Sequence, residues 1–183
     1  EGQEILWWSP DPRMVLRPSD IHISRSLRRT LRNKDWLIRY DTDFTSVIHC
    51  CAKTRQREST GADTWITGEM LQAYTTLHNL GIAHSIEVFS GGSLVGGLYG
   101  LLIGNVFFGE SMFSTVSNAS KFGFIFLVQK LENLGFWLID CQQQTKHLES
   151  LGGEFIDRTD FLDYMKRNKI EKTNKGNWSD YLL

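Results

Sequence analysis

The chain has 183 residues, of which 41% are hydrophobic and 22% charged, and its formal net charge is −1. A chain of this length can bury about two-thirds of its unfolded surface in a single domain, and these ordinary values exclude a disordered chain and a disulfide scaffold. The longest weakly polar run, residues 94–104, is shorter than the roughly 20 residues that cross a bilayer, so we expect no membrane span.

The spacing of cysteine and histidine does not indicate a metal site. The three cysteines, Cys50, Cys51 and Cys141, form no C-x-x-C pair, and the five histidines form no H-E-x-x-H pattern. We therefore expect no metal site and a reduced, intracellular protein. We also expect a cytoplasmic location and no cofactor.

Basic residues are concentrated near the start of the chain. From Arg13 to Arg39, eight basic and two acidic side chains give a local charge of +6 in a chain of net charge −1. Within this stretch Ser24 is a suitable N-cap for a helix, along which Leu27 and Leu31 form an apolar stripe. Four arginines occupy another face of the same helix at i, i+3, i+4 and i+7: Arg25, Arg28, Arg29 and Arg32.

This arginine face permits two interpretations, a solvated surface or a surface that binds a polyanion. Four like charges on one face repel one another by a few tenths of a kcal/mol per close pair unless an anion is present. A nucleic-acid backbone would relieve that repulsion, because the guanidinium fork suits phosphate. On the residues alone, both interpretations stay open.

The pattern after the basic stretch predicts a mixture of strands and helices. In chain order we predict a strand at 36–41, a helix at 44–52, a polar loop at 53–63, a helix at 64–81, three antiparallel strands at 84–89, 93–103 and 106–113, a helix at 119–135, a strand at 136–142, a short helix at 145–152, a strand at 153–156 and a helix at 160–168. This order predicts an α+β or mixed α/β domain with a central, mostly antiparallel sheet flanked by helices. It resembles the GNAT acyltransferase fold.

Two predicted strands carry polar groups where apolar residues are expected. Glu110 lies in FFGESMF, and Asp140 and Gln142 lie two positions apart in FWLIDCQ, so these two should project from one face of the strand. A buried carboxylate without partners costs several kcal/mol, so such residues are usually paired or functional. A structural role stays equally open at this point, with Glu110 capping a helix end or bonding backbone amides and Asp140 lying at the exposed end of its strand.

Longer motifs resemble one enzyme family. They run in chain order over nearly the whole sequence: WWSPDPR (7–13), HISRS (22–26), TWIT (64–67), AY (73–74), LH (77–78), AHSIEVF (83–89), LVGGLYG (94–100), FFGESMFS (107–114), NASK (118–121), LIDCQ (138–142) and SLGGEFI (150–156). Together they resemble the leucyl/phenylalanyl-tRNA protein transferases. The combination of GESMFS, NASK and LIDCQ is highly specific.

The resemblance implies an aminoacyltransferase with a GNAT-like catalytic domain. Such an enzyme moves leucine or phenylalanine, and with relaxed choice methionine, from aminoacyl-tRNA to a protein whose N-terminal residue is Lys or Arg, which marks that protein for degradation. By motif match, Glu110 would hold the α-amino group of the aminoacyl moiety. Asp140 and Gln142 would bind the acceptor's N-terminal ammonium and help to deprotonate it. We expect a monomer.

The same resemblance implies a pocket for the aminoacyl side chain and contacts for the tRNA. Trp65 would close the pocket or stack on the terminal adenosine, and the arginine face would contact the tRNA backbone. The pocket would be lined by six apolar residues: Leu98, Phe107, Phe124, Leu127, Leu131 and Ile139.

The chain departs from the family pattern at two places. A further N-terminal segment normally precedes the match to ILWWSPDPR, and the loop at residues 53–63 is slightly longer than is typical. We therefore expect residues 1–35 to be a basic segment that remains from a small N-terminal domain, and residues 36–183 to be the GNAT-like catalytic domain.

Two other function classes are alternatives. An acetyl-CoA-dependent GNAT N-acetyltransferase would need a Q/R-x-x-G-x-G/A loop for the pyrophosphate, but residues 118–121 are NASK at that place. A non-catalytic RNA-binding module would need only the arginine face.

Overall fold

A computed structural model describes residues 9–32, 34–58 and 65–180. Its strands are β1 (Arg13–Leu16), β2 (Trp36–Tyr40), β3 (Ala83–Ser90), β4 (Ser93–Ile103), β5 (Val106–Ser114), β6 (Leu138–Gln142) and β7 (Glu154–Ile156). Its helices are α1 (Arg25–Arg32), α2 (Phe44–Glu58), α3 (Gly68–Asn79), α4 (Ala119–Asn133), α5 (Lys146–Ser150) and α6 (Arg158–Asn168), with 3-10 turns at Pro18–Asp20 and Trp178–Asp180. None of the helices in these ranges is long and apolar enough to cross a membrane.

All seven strands join one sheet in the order β2-β3-β4-β5-β6-β1-β7. Neighbouring strands are antiparallel except β5 and β6, which run parallel. A parallel pair needs a crossover connection, and α4 supplies it between β5 and β6. The predicted mixed α/β class, with a mostly antiparallel sheet flanked by helices, is confirmed.

Helices cover both faces of the sheet. Leu98 packs in a core cluster with α4, whereas Tyr99, the next residue of β4, packs in a second cluster with α2 and α3. The two residues differ because successive side chains of a strand point to opposite faces of the sheet.

Two elements, α2 and α3, differ most from their predicted bounds, for physical reasons. We predict a polar loop from residue 53, but α2 continues to Glu58 because residues 53–58 are mostly good helix formers without glycine or proline. Residues 59–63 of that predicted loop lie outside the described part of the chain. Helix α3 begins at Gly68 rather than at residue 64, since the Thr67 side chain accepts a hydrogen bond from the backbone N–H of Met70 at 3.3 Å and caps the helix.

Strand β1 brings part of the basic N-terminal segment into the sheet. Residues 13–16 pair with β6 on one side and with β7 on the other. The sequence pattern does not predict this strand, because four residues are too few to establish a period. The boundary expected between residues 35 and 36 stays a prediction, but the segment before it shares a sheet with the chain that follows.

Gly96 of β4 allows the start of α4 to approach the sheet closely. A Cβ added to Gly96 would lie 2.6 Å from the Cβ of Ala119, the first residue of α4. We predict that Gly96→Ala lowers the free energy of unfolding by about 1–3 kcal/mol, because the strand or the helix must move. The measurement is urea denaturation followed by circular dichroism.

Gly68→Ala is the matched control for Gly96→Ala. At the first position of α3 an added Cβ meets no atom within 4 Å. Alanine there should be neutral or should stabilise the fold by about 0.4–1 kcal/mol, by restricting the unfolded chain. Equal losses in the two variants would contradict the close approach at Gly96.

Candidate active site

The sheet opens between β5 and β6. Within the described chain their parallel pairing ends with Phe108 opposite Asp140. Beyond that point β5 continues beside β4, and β6 continues beside β1. Glu110 and Gln142 each lie two residues past the last paired position, so polar side chains follow at the point where the strands part.

Glu110 is the additional residue of a β-bulge. The register between β4 and β5 changes from Tyr99 opposite Ser111 to Gly100 opposite Gly109, which leaves Glu110 without an opposite residue. Bulges redirect side chains and are frequent beside active sites. The bulge therefore explains how a carboxylate can interrupt a strand that is otherwise largely apolar.

The Glu110 carboxylate is half-buried and accepts hydrogen bonds from neutral groups. The donors are the Tyr74 hydroxyl of α3 and the Gln142 side chain. Burial raises the pKa of Glu110 above its usual value, the negative charge of Asp140 adds to the effect, and the two hydrogen bonds and the charge of Arg13 oppose it. Burial also raises the pKa of Tyr74, so its hydroxyl stays protonated and can donate.

Asp140 has a different environment, because its charge is balanced. Its side chain is 0% exposed, and Arg13 of β1 donates to both carboxylate oxygens, from Nε at 3.0 Å and from Nη2 at 2.7 Å. The Arg13 guanidinium also lies over the Phe161 ring of α6, 4.5 Å from its centroid. A bidentate pair of this kind fixes the orientation of both groups.

Gln142 connects the two carboxylates. Its backbone N–H donates to Asp140 Oδ1 at 3.0 Å, and its side-chain Nε2 donates to the Gly109 carbonyl at 3.0 Å, which bridges the opening. Its φ of 62° lies in the left-handed region, and a second bulge places Cys141 as the additional residue opposite β1. Asp140 and Gln142 are thus adjacent, but through this bulge rather than through simple strand alternation.

The thiol of Cys141 does not add a nucleophile to this group. Burial raises the pKa of Cys141 to about 12, so the thiol stays protonated at neutral pH. Within the described ranges no group of three or more His, Cys, Asp or Glu residues could hold a metal ion. The described site therefore offers two carboxylates, one guanidinium and neutral hydrogen-bond donors, an arrangement that can bind and orient cations.

The predicted pocket residues come together, whereas Trp65 lies apart from them. Trp65 is on the surface, 43% exposed, three residues before α3. The six pocket residues are at most 3% exposed and belong to the core cluster that contains α4: Leu98, Phe107, Phe124, Leu127, Leu131 and Ile139.

Helix α1 has the predicted orientation. The Ser24 hydroxyl accepts a hydrogen bond from the backbone N–H of Leu27 at 3.2 Å, and Leu27 and Leu31 pack against the core. All four arginines of the arginine face are exposed: Arg25, Arg28, Arg29 and Arg32. Their charges are thus available to a partner in solvent.

The sequence pattern alone does not predict two residues of the site. Tyr74 occupies a position of the apolar stripe of α3, so the pattern indicates a core side chain rather than a donor to Glu110. Arg13 stands among other basic residues, 127 positions from Asp140. The available signal is that both lie in motifs of the family resemblance, but no local pattern connects either to its carboxylate.

The sequence model of the leucyl/phenylalanyl-tRNA protein transferases matches residues 15–166. A leucyl/phenylalanyl-tRNA–protein transferase of Azotobacter vinelandii is 54% identical over 177 residues, which cover 97% of this chain and 76% of the relative. One of Pseudomonas putida strain W619 is 52% identical over 178 residues, covering 97% of this chain and 77% of the relative. An aminoglycoside acetyltransferase from an uncultured soil metagenomic sample superposes with a TM-score of 0.44 at 14% identity, over 77% of this chain and 91% of that one.

The matching family model and the two transferases define the protein, a mixed α/β fold with two carboxylates at a strand opening, as an acyltransferase that acts on aminoacyl groups. The chain belongs to the leucyl/phenylalanyl-tRNA protein transferase family. The resemblance noted in the sequence is thus confirmed. Family membership does not favour an acetyl-CoA-dependent N-acetyltransferase or a non-catalytic RNA-binding module.

The Arg13–Asp140 pair should be essential for stability. Arg13→Gln leaves the Asp140 carboxylate buried without a balancing charge, which typically costs about 3–5 kcal/mol of folding free energy. Arg25→Gln removes the same charge from the exposed surface of α1 and should change stability by no more than about 0.5 kcal/mol. Chemical denaturation at pH 7 measures both variants, and similar small changes in the two would refute the pair's structural role.

Proposed function

We propose that this enzyme transfers leucine, phenylalanine or methionine from aminoacyl-tRNA to the N-terminal Lys or Arg of acceptor proteins, as a monomer in the cytoplasm. The observation that carries the proposal is the difference in charge balance between the two carboxylates. Arg13 neutralises Asp140, whereas Tyr74 and Gln142, the described hydrogen-bond partners of Glu110, are neutral. An unbalanced carboxylate at an opening in the sheet suits the α-ammonium group of an aminoacyl ester.

The reaction depends on positioning, because an aminoacyl ester is already activated. The acceptor's N-terminal amine attacks the ester carbonyl carbon, a C–N bond forms, and the C–O bond to the tRNA ribose breaks. The attacking amine loses a proton, and the departing ribose oxygen gains one. Glu110 would fix the aminoacyl group and Gln142 would orient the acceptor amine, so that the two reactants meet at a high effective concentration.

Asp140 would act on the acceptor through Gln142. Its carboxylate is 0% exposed, and both of its oxygens already accept hydrogen bonds. The acceptor ammonium would meet the half-buried Gln142 first. In this proposal Asp140 holds the backbone of Gln142 in its left-handed conformation and thereby directs the Gln142 amide towards the opening.

The aminoacyl side chain would enter the apolar cluster beneath α4. Phe107, one of the six proposed pocket residues, precedes Glu110 by three positions on β5, so that the pocket and the carboxylate share one strand. Apolar contacts distinguish substrates by only about 1–3 kcal/mol per methylene. This supports acceptance of several large apolar side chains rather than of one.

The tRNA would contact two exposed features. The exposed Trp65 indole can stack on the terminal adenosine, because an aromatic ring accepts any base face. The exposed arginine face of α1 can bind backbone phosphates through bidentate hydrogen bonds. Because aminoacyl-tRNA is the proposed donor, the cytoplasm is the compartment that supplies the substrate.

The experiment that tests the proposal is a transfer assay. The enzyme is incubated with tRNA charged with radiolabelled leucine and a peptide that begins with Arg, and label on the peptide is counted. A peptide that begins with Gly and a reaction with labelled acetyl-CoA are the controls. Label from acetyl-CoA alone, or equal labelling of the Gly peptide, would overturn the proposed donor or acceptor.

Glu110→Gln should weaken donor binding in a pH-dependent way. Since the pKa of Glu110 is raised, its carboxylate becomes protonated on acidification earlier than an ordinary glutamate does, so the wild-type KM for Leu-tRNA should rise as pH falls from about 7 to 5. The variant should have a high KM with little pH dependence in this window, since its side chain cannot ionise.

Stability separates this binding effect from misfolding. A carboxylate whose pKa is raised in the folded state stabilises the fold at low pH and loses that contribution as pH rises. At pH 7, Glu110→Gln should therefore unfold at a denaturant concentration equal to or above that of the wild type. A variant with the wild-type pH dependence of KM would remove Glu110 from the donor site.

The arginine face should set the salt dependence of tRNA binding. Replacing Arg28 and Arg29 together with Ala should raise KM for Leu-tRNA and reduce the slope of log KM against log salt by about 2, one unit for each lost phosphate contact. The matched control replaces the exposed Lys166 and Lys169 of the α6 end, which removes equal charge elsewhere. Equal slopes in both double variants would argue against the arginine face.

A further inference from the structure

The C-terminal segment, residues 168–180, is held at one end of the sheet by hydrogen bonds. Asn168 is 4% exposed; its Oδ1 accepts from the backbone N–H of Asn105 at 2.8 Å, and its Nδ2 donates to the Ile103 carbonyl at 2.7 Å. The Thr173 hydroxyl accepts from the backbone N–H of Gly104 at 2.9 Å. These bonds hold the segment to the turn between β4 and β5.

The segment ends by inserting Trp178 into the core. Trp178 is 2% exposed, and its backbone N–H donates to Asp41 Oδ2 at 2.7 Å. Its indole stacks on the His84 ring with centroids 4.1 Å apart and planes 7° apart. His84 Nδ1 lies 2.8 Å from the same Asp41 oxygen, so one carboxylate fixes both the backbone of Trp178 and the ring on which it stacks.

Trp178 also contacts Phe107, a residue of the proposed aminoacyl pocket. The two ring centroids are 5.9 Å apart, and Phe107 is 0% exposed. Phe107 lies opposite Leu102 of β4, and its ring reaches Gly100, two residues along that strand, where an added Cβ would lie 2.5 Å from Phe107 Cζ. The Phe107 ring is thus confined by the bare backbone of β4 and by the indole.

We propose that Trp178 is a positioning residue that determines aminoacyl specificity by fixing the Phe107 ring and therefore the depth of the side-chain pocket. This inference depends on the proposed function, because it takes Phe107 as part of the pocket. The C-terminal segment then belongs to substrate selection, although it lies outside the residues that match the family model. A smaller side chain at position 178 leaves room behind Phe107, so its ring moves back and the pocket accepts bulkier groups.

The test compares substrates within one variant. Trp178→Leu should raise the ratio of kcat/KM for Phe-tRNA to kcat/KM for Leu-tRNA by about 5-fold or more, since one methylene of apolar contact is worth at least roughly that factor. Trp178→Phe keeps an aromatic ring and should give a smaller increase. It also serves as the test variant if Trp178→Leu does not fold.

A control separates specificity from loss of stability. Ile48→Ala opens a cavity in the other core cluster, around α2 and α3, where Ile48 is 1% exposed. It should lower the thermal midpoint but leave the Phe-to-Leu ratio unchanged, because misfolded enzyme reduces turnover of both substrates equally. An unchanged ratio in folded Trp178→Leu or Trp178→Phe would overturn the inference.

A double variant tests whether Trp178 acts on specificity through Phe107. In a Phe107→Leu background, Trp178→Leu should shift the ratio no further, because the ring through which Trp178 acts is gone. A full additional shift would overturn action through Phe107. If the wild type labels no Arg-starting peptide from either tRNA, the proposed function itself fails; if it labels the peptide and only the ratio is insensitive to Trp178, the inference alone fails.

Discussion

The bidentate pair between Arg13 and Asp140 is the contact on which the site depends. It joins the first described strand to the strand that ends at the opening, and it allows a carboxylate to be buried completely beside apolar neighbours. Removing an ion from water costs several kcal/mol, and a well-oriented guanidinium can offset that cost. With Asp140 fixed, the backbone of Gln142 has an acceptor in place, and the amide of Gln142 can reach both Gly109 and Glu110.

The two carboxylates of the site have opposite electrostatic roles because their partners differ. Asp140 has a cationic partner and serves as a rigid acceptor inside the protein. Glu110 has neutral donors and a raised pKa, so its charge is most favourable when a cation arrives from solution. At neutral pH the buried charge of Glu110 lowers the free energy of unfolding, and binding of a cationic substrate group can offset that loss. In the proposed reaction, which involves two amines, this division would give each amine an acid of different character.

The sequence predicts the parts of this molecule that rest on local pattern. Strand β4 is found at its predicted bounds, α4 begins where predicted, and α1 presents its arginines to solvent because leucine spacing selects the buried side. Glu110 and Asp140 stand out because acids are unusual within strands. The partners Arg13 and Tyr74 do not, since pairing across 127 residues or between a helix and a bulge depends on the assembled fold. Bulges are equally hidden, because both faces of this sheet are covered and its strands show little alternation that an additional residue could interrupt.

The position of β1 has a consequence for how the molecule is made. Arg13 leaves the ribosome long before β6 and β7 have been synthesised, yet β1 has its described partners only in those two strands. Pairing over such a separation is slow, because a long loop must close before any contact forms. Until β1 pairs with β6, the carboxylate of Asp140 remains hydrated. Until then, the part of β6 that borders the opening is also not held in place by β1. We therefore expect the end of the sheet at the opening between β5 and β6 to be assembled last, after β6 and β7 have been synthesised.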